Sequence, residues 1–405
     1  MCEPTSDLNL WIEDFLRKRR FSKYELELIG NTTKGDGYLG EVAFVKVLTG
    51  IGRQEEKTYN LVIKSAKKSD ELRKKTPIKE VFEREMFMYN SVFPAFLSLQ
   101  KENAVEDLFM KFAKCYSVYK EPQREAILLQ NLKHLGYEIH DRTKPQNLDH
   151  ALCVFTNYGK FHALSLAMKK QHPELYSKLT KDMSDLLLNF IIQANMLDNM
   201  TDTYKAALEK LKKDDEKAYK KLANVDQDMI KMNLTKIRDP KDGLSVILHG
   251  DCWNNNMMFK YQDASKKKPT DMVFLDFQLS TVGSPIYDLS YYLYSIADEN
   301  LLKYHDLLLQ TYHRSLVSFL RELKEESINI SLEDIKRHWI EYGKFGLTMA
   351  ALIVKVELSE VDEVVDIAEV AEAGDLNDTF NVEIKNMDDY DSRMKAGFRH
   401  YASLV

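Results

Sequence analysis

The chain has 405 residues, 44% hydrophobic and 30% charged, a balance that suits a soluble globular protein with room for two lobes and a substantial core. Its 57 Lys and Arg against 63 Asp and Glu leave a formal charge of −6, which argues against nucleic acid as a principal partner. No basic-then-apolar leader opens the sequence, no apolar run approaches the roughly 20 residues of a membrane helix, and four scattered cysteines supply neither a zinc pattern nor a disulfide framework, so a cytoplasmic setting without membrane contact is expected.

Residues 7–19 have helical spacing, with Leu8, Trp11, Ile12, Phe15 and Leu16 on one side. Gly35, Gly37 and Gly40 then form a G-x-G-x-x-G that runs into an alternating, β-branched stretch, 41–47. A dinucleotide fingerprint follows a strand and opens a helix. This one leads into a strand, which fits a loop folded over phosphates, and a plain hairpin turn fits equally well. The next strand, 59–64, ends on Lys64, where a lysine at the end of an apolar run requires an anion. The helical stretch 79–89 offers Glu85, set among apolar neighbours, as that partner; Glu83 is the alternative. Stretches 112–119 and 126–132 read as the last two strands of a small sheet. The second ends in a connector whose backbone near Gln130 and Leu132 could pair with an adenine edge.

From about residue 145 the pattern turns helical: 147–169, with His162 read as a satisfied core histidine, then 173–197 and a strongly charged 203–232. An apolar run, 244–248, precedes His249-Gly250-Asp251-Cys252-Trp253-Asn254-Asn255-Asn256, an H-x-D-x-x-x-x-N pattern, and Asp276 lies twenty residues beyond Asn256 in a second apolar run. Ser284 and Pro285 suit the start of a helix that places Asp288 in its first turn, either bracing the preceding segment or serving the helix dipole. Helices are expected at 299–323, 332–357 and 386–401, and the acidic stretch 356–375 is expected to be a solvated or mobile loop.

The order of glycine loop, strand lysine, helix glutamate, connector, H-x-D-x-x-x-x-N and strand aspartate supplies the parts that phosphoryl transfer requires. Asp251 can accept a hydroxyl proton. Asn256 and Asp276 offer the hard oxygens that magnesium takes. His249 is expected to hold the loop by hydrogen bonds, and Cys252 is not expected to be a ligand. No Ala-Pro-Glu signature follows Asp276-Phe277-Gln278, which speaks against a protein substrate.

His249-Gly250-Asp251 with Asn256 resembles the aminoglycoside phosphotransferase and choline kinase group. The longer string Leu248–Asn256, with Leu275-Asp276-Phe277-Gln278, Phe161-His162-Ala163-Leu164-Ser165 and Phe82-Glu83-Arg84-Glu85, is similar to the ecdysteroid kinase-like family. That resemblance implies an α+β, two-lobed protein-kinase-like fold: residues 1–132 as an antiparallel sheet with a helix, and 133–405 as a mainly helical lobe. It implies ATP with Mg2+, Asp251 as base, Asn256 and Asp276 as metal ligands, and Lys64 with Glu85 as the phosphate clamp. The substrate it implies is a bulky alcohol such as an ecdysteroid or xenobiotic, bound by a monomer. A cationic acceptor of the choline or aminoglycoside kind, and a catalytically silent protein that binds hydrophobic ligands, are the alternatives. Two departures stand out: Gly35-Asp36-Gly37-Tyr38-Leu39-Gly40 where the family commonly has Gly-Asp-Asn-Tyr-Ala-Ser, and Gln130-Asn131 where it commonly has Glu-Asp.

Overall fold

The computed structural model describes residues 6–31, 39–50, 56–240, 242–360, 367–373 and 384–405. Helix α1 (Ser6–Lys18) precedes strands β1 (Tyr24–Asn31), β2 (Gly40–Thr49) and β3 (Lys57–Ala66). Helices α2 (Asp70–Lys75), α3 (Ile78–Phe87) and α4 (Phe93–Glu102) lead to β4 (Cys115–Tyr119) and β5 (Ala126–Gln130). The five strands form one antiparallel sheet in the order β1-β2-β3-β5-β4.

Strand alternation sends the two faces of this sheet to different tasks. Leu61 and Ile63 of β3 join Val45, Val47, Ala126 and Leu128 under Leu8, Trp11, Ile12, Phe15 and Leu16 of α1, an apolar cluster separate from the main core. Val62 and Lys64 alternate with them and turn to the opposite face, where α3 lies. Two strands are shorter than their sequence suggests. Phe112 leaves the sheet to stack on Phe93 with ring centres 3.9 Å apart and to bridge Phe274, so β4 begins at Cys115. Asn131 ends β5 by accepting Lys133 N–H at 3.0 Å, which caps a 3₁₀ turn, Leu132–Leu135.

The helical half opens with β6 (Glu138–Ile139) and the 24-residue α5 (Leu148–Gln171), buried over most of its length. Helices α6 (Pro173–Thr180), α7 (Leu186–Gln193), α8 (Leu197–Glu209), α9 (Glu216–Leu222) and α10 (Gln227–Lys236) follow. The stretches expected as single helices, 173–197 and 203–232, are therefore broken. Asp185, Asp215 and Asp226 each accept a backbone N–H three residues on and start a new helix, and Asn195 turns left-handed between α7 and α8.

Strands β7 (Val246–Leu248), β8 (Met257–Tyr261), β9 (Pro269–Phe274) and β10 (Thr281–Gly283) form a three-stranded sheet, β6-β8-β9, and a pair, β10-β7. Between them they fix two loops, 249–256 and 275–280. Leu275 N donates to Asn256 O at 2.8 Å, and Thr281 pairs with Leu248.

Helices α11 (Ile286–Ile296), α12 (Glu299–Leu302), α13 (His305–Glu322), α14 (Leu332–Tyr342), α15 (Lys344–Leu358), α16 (Ile367–Ala373) and α17 (Met387–Leu404) complete the chain. All of α11 is buried, and a side chain at Gly346 of α15 would lie 2.3 Å from Ser290 O, so these two helices touch backbone to backbone. Pro285, not Ser284, holds the cap position of α11; the Ser284 hydroxyl accepts Ile286 N–H at 3.3 Å. The described part of the acidic stretch is largely helical, and its residues 361–366 and 374–375 lie outside the described residues. Glu357 is buried in α15, and α16 lies against α2, with Lys75 Nζ 2.6 Å from Ala371 O. No helix among the described residues is long and apolar enough to cross a membrane.

Candidate active site

Three elements bring charge together where the two halves meet. Lys64 on β3 places Nζ 2.7 Å from Glu85 Oε2 on α3 and 2.6 Å from Asp276 Oδ1 in the loop after β9. Glu85 is the partner because its side chain is 1% exposed, whereas Glu83 faces solvent near Lys79. Burial works against the Lys64 ammonium, but Asp276 and Glu85 outweigh it and raise its pKa. Burial raises the Glu85 carboxyl to about 7 against the pull of Lys64, and its Oε1 is buried without a hydrogen bond. Asp276 sits at φ 61°, a left-handed conformation that Asp tolerates better than most residues.

The loop between β7 and β8 carries Asp251. Its Oδ1 accepts the Tyr291 hydroxyl at 3.1 Å and its Oδ2 accepts Asn256 Nδ2 at 2.8 Å. Burial, then the nearby charge of Asp276, pushes the Asp251 carboxyl up to about 7 despite these two donors. Since Asn256 also donates to the Asp251 carbonyl at 3.0 Å, its amide nitrogen is fully committed to the loop and its Oδ1 is left for the cavity it lines. That orientation leaves an amide oxygen and a carboxylate, Asn256 and Asp276, as a donor set that fits magnesium.

The loop owes its shape to Gly250 and Asp288. Gly250 has φ +88°, and a Cβ there would lie 2.2 Å from Leu279 O. Asp288, fully buried in the first turn of α11, accepts His249 N at 2.8 Å, Gly250 N at 3.1 Å and Cys252 Sγ at 3.1 Å, and lies 3.1 Å from His162 Nε2. Burial opposes its ionisation, but the hydrogen bond and charge of His162, with His249 and its backbone, hold its pKa below the usual carboxylate value. Of the two readings of Asp288, bracing the preceding segment is the one the contacts display. His162 is a satisfied core histidine whose other nitrogen, Nδ1, lies 3.1 Å from the Tyr312 hydroxyl. His249 is neutral and protonated on Nε2, because Nε2 meets the Leu275 carbonyl at 2.8 Å while Nδ1 accepts Asp251 N–H at 3.2 Å. Burial lowers its pKa further.

Two cavities meet at these residues. The first, about 200 Å³, is lined by Gly40, Val42, Val62, Lys64, Glu85, Leu129, Gln130, Leu132 and Met258. The second, about 130 Å³, reaches Asp251, Trp253 and Tyr291 and has apolar walls from Val81, Leu187, Phe190, Ile191, Met196, Met200, Leu279, Met349, Leu352 and Ile353. Leu39, Asn256, Asp276 and Gln278 belong to both. Lys64, Glu85, Gly40, Gln130, Leu132, Asp251, Asn256 and Asp276 thus converge, while Gly35 and Gly37 lie outside the described residues. In the altered connector, Asn131 caps its turn with a side-chain oxygen, the same atom an aspartate would use. Of the aromatic residues 287, 291, 292, 339, 342 and 345, only Tyr291 reaches the second cavity; the rest are core. Its walls from α7 and α8 carry no motif, and their apolar periodicity reads as ordinary core.

No curated protein sequence matches the chain. Among solved structures it is similar to a macrolide 2'-phosphotransferase, MphH, from Brachybacterium faecium, with 14% identity over 90% of this chain and 98% of that one and a TM-score of 0.35. It is also similar to an aminoglycoside-3'-phosphotransferase of type VIII, with 13% identity over 83% of this chain and 98% of that one and a TM-score of 0.32. The model of the ecdysteroid kinase-like family matches residues 34–325, most of the chain, including Lys64, Glu85, Asp251, Asn256 and Asp276. The protein belongs to the ecdysteroid kinase-like family and is a two-lobed α+β phosphotransferase that acts on alcohol groups of small molecules.

Proposed function

We propose that the protein transfers the γ-phosphoryl group of ATP to a hydroxyl of a neutral, bulky, largely apolar alcohol. The observation that carries this reading is the position of Asp251: it faces the apolar cavity and stands beside Asn256 and Asp276, which belong to both cavities.

In this reading the first cavity takes the nucleotide. Lys64, held by Glu85, contacts the α- and β-phosphates. Gly40 and the glycines before it approach the phosphates through backbone N–H groups. The base edge meets the connector at Gln130 and Leu132. The Gln130 N–H already donates to Lys114 O and the Leu132 carbonyl accepts Tyr137 N–H, so the donor left for adenine is the Leu132 N–H, first in its turn. Asn256 Oδ1 and Asp276 would hold magnesium, which when bound neutralises charge on the phosphates. Asp251 accepts the acceptor's proton as the alcohol oxygen bonds to phosphorus and the β–γ bridging oxygen leaves with ADP. Residues 1–132 act as the nucleotide-binding lobe and 133–405 as the catalytic and acceptor lobe of a cytoplasmic monomer.

The lining of the second cavity supports the neutral alcohol. Among the described residues its only acids are Asp251 and Asp276, both engaged in the proposed reaction, so neither is left over for an aminoglycoside's ammonium groups. The rings of Phe190, Trp253 and Tyr291 keep one small amino-alcohol reading in play. A mass-spectrometric screen of steroid, phenol, glycoside and amino-alcohol acceptors with magnesium and ATP tests the assignment. A gain of one phosphate on steroids or phenols is expected. Phosphate on amino-alcohols alone would overturn the neutral class, and phosphate on none would favour a silent binding protein.

A further inference from the structure

Arg84 stands next to Glu85 on α3 and is only 7% exposed. Among the described residues no carboxylate forms an ion pair with it. Its guanidinium donates instead to three backbone carbonyls of the helical half: from Nη1 to Ser280 and, at 3.3 Å, to Ser184, and from Nη2 to Asp182 at 3.2 Å. A buried guanidinium with no ion-pair partner holds its place through such charge-assisted bonds, and its planar fork lets one side chain grip two segments.

Both segments lead to the site. Ser280 ends the loop that carries Asp276, and its hydroxyl donates to His249 O at 3.1 Å. Residues 182–184 form the turn into α7, where Asp185 caps the helix at Leu188 N and is itself met by Arg238 Nε at 3.3 Å. Leu187, Phe190 and Ile191 of α7 wall the apolar cavity. Arg84 and Glu85 are consecutive on one helix. Any movement of α3 that seats Glu85 against Lys64 therefore moves the group that holds the entry to α7.

We infer that Arg84 is a positioning residue that couples the two cavities, tying the packing of α7 over the acceptor pocket to nucleotide seating against Lys64. This rests on the nucleotide and acceptor assignments proposed above. Lysine at this position would keep the charge but reach one segment only.

Hydrogen–deuterium exchange with the non-hydrolysable analogue AMP-PNP and magnesium tests the coupling without a known acceptor. In the native protein, slower exchange is expected both in β2–β3 and in α7. In Arg84→Lys the first should persist and the second should disappear; Arg84→Gln serves as a second variant. With an acceptor from the screen, KM for that acceptor should rise about tenfold in Arg84→Lys, the scale of one lost charge-assisted bond, with AMP-PNP binding in the absence of acceptor nearly unchanged. Native-like protection of α7 in Arg84→Lys overturns the proposal. So does native protein protected in β2–β3 with α7 unaffected, a result that decides the matter even if neither variant folds. Absence of protection anywhere overturns the nucleotide reading and the coupling with it.

Discussion

Asn256 and Asp251 are joined twice, because the Asn256 amide nitrogen donates to the Asp251 carboxylate at 2.8 Å and to its carbonyl at 3.0 Å. One side chain thereby aims the proposed base and turns its own oxygen toward the neighbouring cavity. Asp251→Asn removes the proton acceptor and keeps the size. Turnover should fall by roughly 10²–10⁴-fold. The melting temperature should change little, because a buried carboxylate near Asp276 disappears while one of the two oxygens that accept from the Tyr291 hydroxyl and the Asn256 amide becomes a donor. Single-turnover phosphate transfer and thermal melts measure both. Near-native turnover in the variant would remove Asp251 from its role.

Lys64 holds two carboxylates apart electrically as well as holding phosphates in the proposed reaction. Lys64→Met leaves Glu85 and Asp276 facing each other without a cation. Nucleotide binding should be lost. Stability should fall by at most roughly 3 kcal/mol, the low end for breaking a buried pair, since the Asp276 side chain keeps 24% exposure. The loss should be larger at pH 8 than at pH 5, because the Glu85 carboxyl, raised to about 7 even against the pull of Lys64, is raised further without it and relieves the repulsion at low pH by taking a proton. A melting deficit independent of pH would contradict this electrostatic account.

The parts of the site that lie on the chain in sequence order were legible, because chemistry and periodicity coincide there. Lys64 closes an apolar strand, and Asp251, Asn256 and Asp276 are set by the lengths of a loop and a hairpin. Asp288 was legible only by half: its donors lie near residues 162 and 250, and no local pattern distinguishes bracing from a dipole role. Arg84 left no trace as an anchor, since it binds backbone carbonyls, which every residue has. The broken helices follow from aspartates whose capping competes with helix continuation, and period alone does not reveal that competition. Glu357 was read with the acidic stretch because neighbouring charge masks a single buried carboxylate in composition.

Gly250 should tolerate no side chain. Its φ of +88° is strained for any other residue, and a Cβ would meet Leu279 O at 2.2 Å. Gly250→Ala must shift the loop and pull the His249 and Gly250 N–H groups off Asp288. Destabilisation of at least roughly 1–3 kcal/mol is expected from the backbone alone, with loss of turnover. Thermal melts and activity decide; a variant with native melting temperature would show that the loop is not held as described.

Glu357 ties α15 to the loop that carries Asp251: its Oε1 accepts Asn254 N–H at 3.2 Å, with Arg393 of α17 3.8 Å from Oε2. Burial pushes its carboxyl up to about 8 against the pull of Arg393, the Asn254 N–H and Arg142. The unfolded chain releases this proton near 4.5, so between about 4.5 and 8 the folded state binds more protons than the unfolded one. Stability from this group is therefore greatest at low pH and declines as pH rises through that window. Glutamine keeps the acceptor for Asn254 and cannot ionise. Glu357→Gln should match the native protein near pH 5 and melt at a higher temperature near pH 8–9, with a flatter profile between. Parallel pH dependences for the two proteins would mean that Glu357 is already charged where it lies.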